Sequence, residues 1–160
     1  MKSIYTVKLK RKVTGKTDYK KRLNLLLAEK PRLVIRRSVD NIMAQMVDYA
    51  PDGDIIIATV HSASLKKMGW KHSTGNTTAA YLTGLALGKK LKGKVKEAVL
   101  DIGLQKSVKG SRIYACLKGV IDSGINVPHD PEILPDAKRI SGEHISADVK
   151  KSFEEIKSKI

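Results

Sequence analysis

Three short apolar stretches joined by tight turns, followed by a change to helical spacing, restrict what this chain can fold into. Arg32-Leu33-Val34-Ile35-Arg36-Arg37, just past Pro31, reads as a strand. Asn41 to Tyr49 alternates, with Ile42, Ala44, Met46 and Asp48 on one face, and predicts a second strand. Pro51-Asp52-Gly53-Asp54 is a turn in which Gly53 can take positive φ. Ile55 to Val60 predicts a third strand, apolar enough for a central position. Loops this short join antiparallel neighbours, so the three strands form a meander.

Helical periods flank that meander. Asp18 can cap a helix from Tyr19 to about Glu29, with Leu23, Leu26 and Leu27 on one stripe. Lys20, Lys21 and Arg22 oppose the macrodipole at its start, a conflict that a bound anion would relieve. Asn76 or Thr77 caps a helix to about Lys90, offering Ala79, Ala80, Leu82, Leu85 and Ala86 for burial. Gly84 and Gly88, four apart, predict a close approach of this helix to the sheet. Glu97 to Ile102 predicts a fourth strand, and Ser111 to Ser123 a helix stopped by Gly124. The fold class is therefore α/β, a mixed sheet of a three-stranded antiparallel meander plus a further strand, with helices packed on it. Residues 1–18 read as a basic N-terminal arm that orders on its partner, and 19–125 as the globular domain. Residues 126–160 read as an irregular C-terminal arm ending in a helix, capped by Ser146, with Val149, Phe153, Ile156 and Ile160 in a stripe. Pairs Lys150–Glu154, Lys151–Glu155 and Glu155–Lys159 line its other face.

Charge indicates the partner. The 160 residues carry a net +15, and residues 1–37 hold 13 Lys and Arg against 2 acids. A basic arm on a nearly balanced body points to nucleic acid. A second cluster, Lys66, Lys67, Lys71, Lys89, Lys90, Lys92, Lys94 and Lys96, falls in a stretch without an acid. Trp70 and His72 sit inside it, and Trp70 reads either as a core anchor or as a platform for an unpaired base. Aromatic residues make up only 4% of the chain, which favours a folded RNA gripped by shape and phosphate over reading of single strands. The start of the chain lacks the apolar run of a secretory signal, and no stretch nears the ~18 apolar residues of a membrane span. A soluble, intracellular protein without a membrane partner is expected.

Enzyme chemistry has thin support. The four histidines, His61, His72, His129 and His144, lack the spacing of a zinc pair on one helix. Lys71 to Asn76 shares only residue types with a phosphate-binding loop. The lone Cys116 excludes an intrachain disulfide. Asp40, Asp54, Asp101 and Asp122 fall near element ends, and Asp101 is the best candidate for a Mg²⁺-dependent nuclease. That nuclease, and a non-specific nucleic-acid packaging protein, are the competing readings. No cofactor, catalytic residue or resident metal is expected.

The motifs resemble a family. Tyr19-Lys20-Lys21-Arg22-Leu23-Asn24-Leu25-Leu26 and Pro31 to Ser38 are similar to the start of the large-subunit ribosomal protein that binds 5S rRNA, universal family eighteen. Ala79 to Gly84, Gly88-Lys89-Lys90, Ala98 to Leu104, Gly110 to Ala115, Pro128-His129 and Arg139 to Ile145 continue the match in order. The length and the Gly142-Glu143-His144-Ile145 segment look archaeal. The resemblance implies an α/β ribosomal protein of the central protuberance, bridging 5S rRNA and large-subunit rRNA beside neighbouring ribosomal proteins. It further implies a single copy and not a homo-oligomer. It places 5S rRNA contacts in Thr14 to Arg22 and on Arg32, Arg36 and Arg37, and makes Arg112 a phosphate contact. With the cations around them, the expected RNA-binding set is Lys8, Lys10, Arg11, Lys12, Thr14, Lys16, Thr17, Tyr19, Lys20, Lys21, Arg22, Arg32, Arg36, Arg37, Lys71, His72 and Arg112.

Overall fold

The computed structural model describes residues 6–160. A one-turn helix α1 (Lys10–Val13) precedes α2 (Tyr19–Leu26), then β1 (Arg32–Arg37), β2 (Ile42–Asp48) and β3 (Ile55–His61). A 3₁₀ helix (Ser62–Met68) leads to α3 (Thr77–Lys90), β4 (Val99–Asp101) and α4 (Arg112–Asp122). After a 3₁₀ turn (Pro131–Ile133), the chain ends in α5 (Ala137–Ser141) and α6 (Ala147–Lys159).

The four strands lie in the order β3-β2-β1-β4, with β1–β2 and β2–β3 antiparallel and β4 parallel to β1. The mixed sheet is the one expected, but β3 is an edge strand instead of a central one. The crossover through α3 delivers β4 beside β1, so among the described residues β3 has β2 as its sole neighbour. Ile55 and Ile56 stay 58% and 55% exposed as a result. A register shift between Met46 and Val47 lets Ala58 face the core beside Met46 and turns Ile56 to the outer face beside Val47.

One face of the sheet carries the core. Leu33, Ile35, Ile42, Ala44 and Met46 are fully buried against α3. Twelve of the fourteen residues of α3 are buried, because α4, α5 and α6 enclose the sides that the sheet leaves open. Gly84 and Gly88 serve this packing in a way the sequence reading misplaced. They admit α4 and not the sheet, since a Cβ on Gly84 would stand 2.0 Å from the Cys116 carbonyl oxygen and one on Gly88 1.7 Å from Ser123 Oγ. Gly119 answers from α4, where a Cβ would lie 2.2 Å from the Tyr81 carbonyl oxygen.

The C-terminal segment lies on the chain's own helices. Val127, Ile140, Val149, Phe153 and Ile156 join the main core cluster, and Phe153 meets Tyr81 with ring centroids 5.7 Å apart. Ser146 Oγ caps α6 by accepting from the Val149 N–H, as its sequence predicts. Lys150 pairs with Glu143 at 2.6 Å, in place of the predicted Glu154 one turn along. Trp70 is an anchor: it is 2% exposed and its Nε1 donates to the Ser73 carbonyl.

Candidate nucleic-acid interface

The other face of the sheet is mixed, charged at Arg32, Arg36 and Asp101 and aliphatic at Val34, Val47 and Ile56, and it carries the candidate site. Pleating sends Leu33 and Ile35 into the core and Arg32, Val34 and Arg36 outward. Across the parallel pair, Val34 faces Asp101, which puts the carboxylate diagonal to both arginines. Arg32 donates to Asp101 Oδ2 at 2.9 Å and Arg36 to Asp101 Oδ1 at 3.1 Å. The Gly103 N–H donates to the same Oδ1 at 2.8 Å, and Arg36 also reaches the Asp101 carbonyl at 2.7 Å. Burial alone would push the Asp101 carboxyl up, but Arg36, the Gly103 amide and Arg32 outweigh it and hold the group below the ordinary carboxylate range.

Asp54 extends the network to the N-terminal segment. It accepts from Arg32 at 2.6 Å and from Arg22 of α2 at 2.8 and 3.0 Å. Arg32 is only 3% exposed, so its charge is fully committed between two carboxylates. Helix α2 forms because Asp18 accepts from the Lys20 and Lys21 amides, a negative charge that offsets the three cations at its start. It ends at Leu26, short of the expected Glu29: Pro31 disfavours the helical conformation at Lys30, and Glu29 takes φ +50. No residue of α2 is buried, and Leu23 and Leu27 stand 59% and 73% exposed. Polar contacts hold it in place, Arg22 to Asp54 and Lys21 Nζ to the Gly103 carbonyl at 3.1 Å.

Between α2, residues 11–18 and the sheet lies a cleft of about 510 Å³. Its cationic wall holds Arg11, Lys16, Lys21, Arg22 and Arg36, and its floor is aliphatic, with Val34, Val47 and Ile56. Two buried polar atoms among its lining residues, Arg32 Nε and Gln105 Oε1, have no hydrogen-bond partner among the described residues. Gly103 admits the Arg36 guanidinium, since a Cβ there would stand 2.9 Å from its Cζ.

The remaining expected residues divide between this cleft and other places. Thr17 lines it and its Oγ1 accepts from Arg11 Nε at 2.9 Å. Thr14 closes α1 by donating to the Lys10 carbonyl, while Lys8, Lys10, Lys12 and Lys20 are exposed nearby in the chain. Tyr19 is the half-buried first residue of α2. Arg37 points to the opposite face from Arg36, as the pleat requires, and is exposed at the strand end. Lys71 is exposed, and His72 packs edge-on to Trp70 and within 3.2 Å of Ser152 Oγ on α6, on the helix side of the sheet. Arg112 ties two loops together, donating to the Val39 carbonyl at 3.1 Å and the Gly75 carbonyl at 2.6 Å. Gly103 and Gln105 carry no signal of a site in the sequence; Asp54 reads there as a turn residue and as one of four candidate metal-binding carboxylates, and only the fold brings it to Arg32.

The nuclease reading loses its best residue, because both oxygens of Asp101 are taken by guanidinium and amide donors. Among the described residues, no group of three or more His, Cys, Asp or Glu could hold a metal ion. No helix among them is long and apolar enough to cross a membrane.

Comparison with known proteins decides between the remaining readings. Residues 3–98 and 91–130 match the family of ribosomal large subunit proteins 60S L5 and 50S L18. The large ribosomal subunit protein uL18 of Korarchaeum cryptofilum is 53% identical over 152 residues, covering 94% of this chain and 78% of that protein. The uL18 protein of Methanococcus maripaludis is 48% identical over 146 residues, covering 91% and 76%. The chain belongs to this family of large-subunit ribosomal proteins. Its role is structural, within the ribosome, and not catalytic. Membership agrees with the archaeal resemblance of the motifs and gives the basic cleft an rRNA-rich setting.

Proposed function

We propose that the chain binds 5S rRNA through the cleft between α2 and the outer sheet face, and joins it to large-subunit rRNA in the central protuberance. The observation that carries this reading is the convergence of the charge-rich residues 11–18, α2 and β1 on one groove. Asp54 and Asp101 fix the directions of Arg22, Arg32 and Arg36 before any RNA arrives, which lowers the ordering cost of binding. Arg36, more than a third exposed, can pair with phosphate while keeping Asp101; Arg32 positions Asp101 and Asp54 from beneath. Lys8, Lys10, Lys12, Lys16, Lys20 and Lys21 supply further phosphate contacts, and the threonines and Tyr19 fix register. Lys71, His72, Arg37 and Arg112 lie outside the groove and serve as peripheral RNA contacts. One copy of the chain acts alone on each RNA, with neighbouring ribosomal proteins beside it.

The test is binding of full-length wild type and of Lys16→Ala/Lys21→Ala to 5S rRNA across a salt titration. Loss of two phosphate contacts should lower the slope of log K against log salt by about 2. An unchanged slope and affinity would place the RNA elsewhere on the protein.

A further inference from the structure

The cleft has two features for which phosphate contacts have no use. One is an apolar ledge: Ile56 and Leu104 both line the cleft and stand 55% and 57% exposed. Val34 and Val47 extend that surface. The other is Gln105, which also lines the cleft and whose buried Oε1 has no hydrogen-bond partner among the described residues. A buried carbonyl oxygen left unpaired is a standing cost to the folded protein.

The turn that presents Leu104 and Gln105 is pinned in place. The Gly103 N–H donates to Asp101 Oδ1 at 2.8 Å, and the Gln105 N–H donates to the Ile102 carbonyl at 3.2 Å. Lys21 Nζ of α2 donates to the Gly103 carbonyl at 3.1 Å, and Gly103 makes the bend at φ +61. Polar contacts of its neighbours therefore hold Leu104 in the open at the mouth of a charged groove.

A cationic wall beside an aliphatic ledge and a free carboxamide suits an anion that also carries a flat apolar body with a polar edge. The backbone of an uninterrupted duplex offers only the anion. A nucleotide with its base unpaired offers all three parts, and a volume of about 510 Å³ lies within the range of about 300–1,000 Å³ usual for small-molecule sites. Among the described residues no aromatic side chain lines the cleft, so the base would lie on aliphatic groups and on the plane of a guanidinium, Arg11 or Arg36.

We infer that the cleft receives one unpaired nucleotide, with its phosphate on the cationic wall and its base between the Ile56–Leu104 ledge and Gln105. Rotation of the Gln105 side chain toward the base edge would end the isolation of its oxygen. The nucleotide belongs to an RNA strand, because a wall of five cations exceeds what one mononucleotide neutralises and matches a nucleotide with its flanking phosphates. Folded RNA presents such nucleotides in bulges and loops. The inference rests on the proposed reading of the cleft as an RNA site and deepens it: charge holds any RNA, whereas the base in the cleft distinguishes a bulged strand from a regular helix.

The experiment measures binding of the full chain to three forms of one RNA: an uninterrupted duplex, the same duplex with a single-nucleotide bulge carrying each of the four bases in turn, and the bulge with its base removed. The abasic form keeps the bend and the phosphates, so its difference from the bulge reads the base alone. Wild type should bind at least one bulged duplex about tenfold more tightly than the abasic form. In Leu104→Ala/Gln105→Ala that preference should shrink to less than about twofold, while the slope of log K against log salt stays at the wild-type value because no ionic contact is lost. Equal binding of bulged and abasic forms by wild type would overturn the inference, and so would a variant that keeps the preference. Lys16→Ala/Lys21→Ala separates this failure from that of the cleft itself: weaker binding of every RNA with no base preference sinks the inference alone, whereas unchanged binding of every RNA contradicts the cleft as the RNA site. The four nucleoside 5′-monophosphates, titrated singly, test the source of the nucleotide. They should not saturate the protein below about 1 mM; tight binding of one of them would overturn the assignment to RNA in favour of a free nucleotide. Thermal unfolding of the double alanine variant should match wild type, since Leu104 is exposed and Gln105 Oε1 has no partner to lose; the abasic comparison in wild type decides the inference without it.

Discussion

Replacing Asp101 by Asn probes the network that shapes the cleft. Asparagine keeps the size and the oxygen that accepts from the Gly103 N–H at 2.8 Å. It removes the charge that faces Arg32 at 2.9 Å and Arg36 at 3.1 Å. Arg36 is more than a third exposed and recovers most of its loss from water. Arg32, 3% exposed, cannot; it is left buried with Asp54 alone. Breaking one side of a buried ion pair costs about 3–5 kcal/mol, and the surviving Asp54 partner argues for the lower end, about 3 kcal/mol. Urea denaturation at neutral pH should show that loss, and the thermal midpoint should fall by about 6–12 °C for a chain of this size. The pH dependence has a definite sign. The folded Asp101 carboxyl lies below its unfolded value, so its contribution is complete above the ordinary carboxylate range and fades as pH drops through the depressed folded value. The gap between wild type and variant should therefore close on acidification. A loss under about 1 kcal/mol at neutral pH, or a gap that widens in acid, would refute the claim that Asp101 works as a buried counter-ion.

Other consequences follow from the same contacts. Asp54→Asn frees Arg22, and since α2 buries no side chain its amides should exchange with deuterium about fivefold faster, equivalent to about 1 kcal/mol, in the RNA-free protein; unchanged exchange would show that α2 is held by something else. Gly84→Ala should cost about 3 kcal/mol in denaturant unfolding, because its Cβ meets the Cys116 carbonyl and the helices must part. Gly119→Ala acts at the same crossing, so the double variant should lose less than the sum; strict additivity would contradict a shared contact. Removal of residues 1–17 should weaken 5S rRNA binding strongly while leaving one cooperative unfolding transition, because residues 6–16 are all exposed; loss of cooperativity would contradict an arm separate from the body.

The sequence was most informative where local chemistry sets the outcome. β1 runs from Arg32 to Arg37 as read, because Pro31 disfavours helix before it and the apolar run Leu33-Val34-Ile35, with two β-branched residues, favours extended chain. Asp18, Asn76 and Ser146 cap the helices assigned to them, since a side-chain oxygen two or three residues ahead of orphan amides needs no tertiary context. What depends on who is adjacent was less legible. β3 looks central by composition yet lies at an edge, because apolar content does not encode strand order. Gly84 signals a close approach but not its partner, which came from thirty-odd residues downstream in α4. The same limit hid the centre of the site. Arg32 and Arg36 read as two outward cations, and their carboxylates, Asp54 and Asp101, lie 22 and 65 residues from them. The lysines of residues 66–96 read as a single cluster when counted along the chain, although the helix predicted between them, observed as Thr77–Lys90, already separates the two groups.

Salt-titrated binding of the full chain to 5S rRNA, tRNA and a plain RNA duplex, measured side by side, tests the central claim most directly. Preoriented arginines in a shaped groove predict tighter binding to 5S rRNA at every salt concentration, with an advantage that persists as salt weakens all three complexes. Equal affinity for the three RNAs, collapsing together as salt rises, would show a cationic surface without selectivity and contradict the assignment.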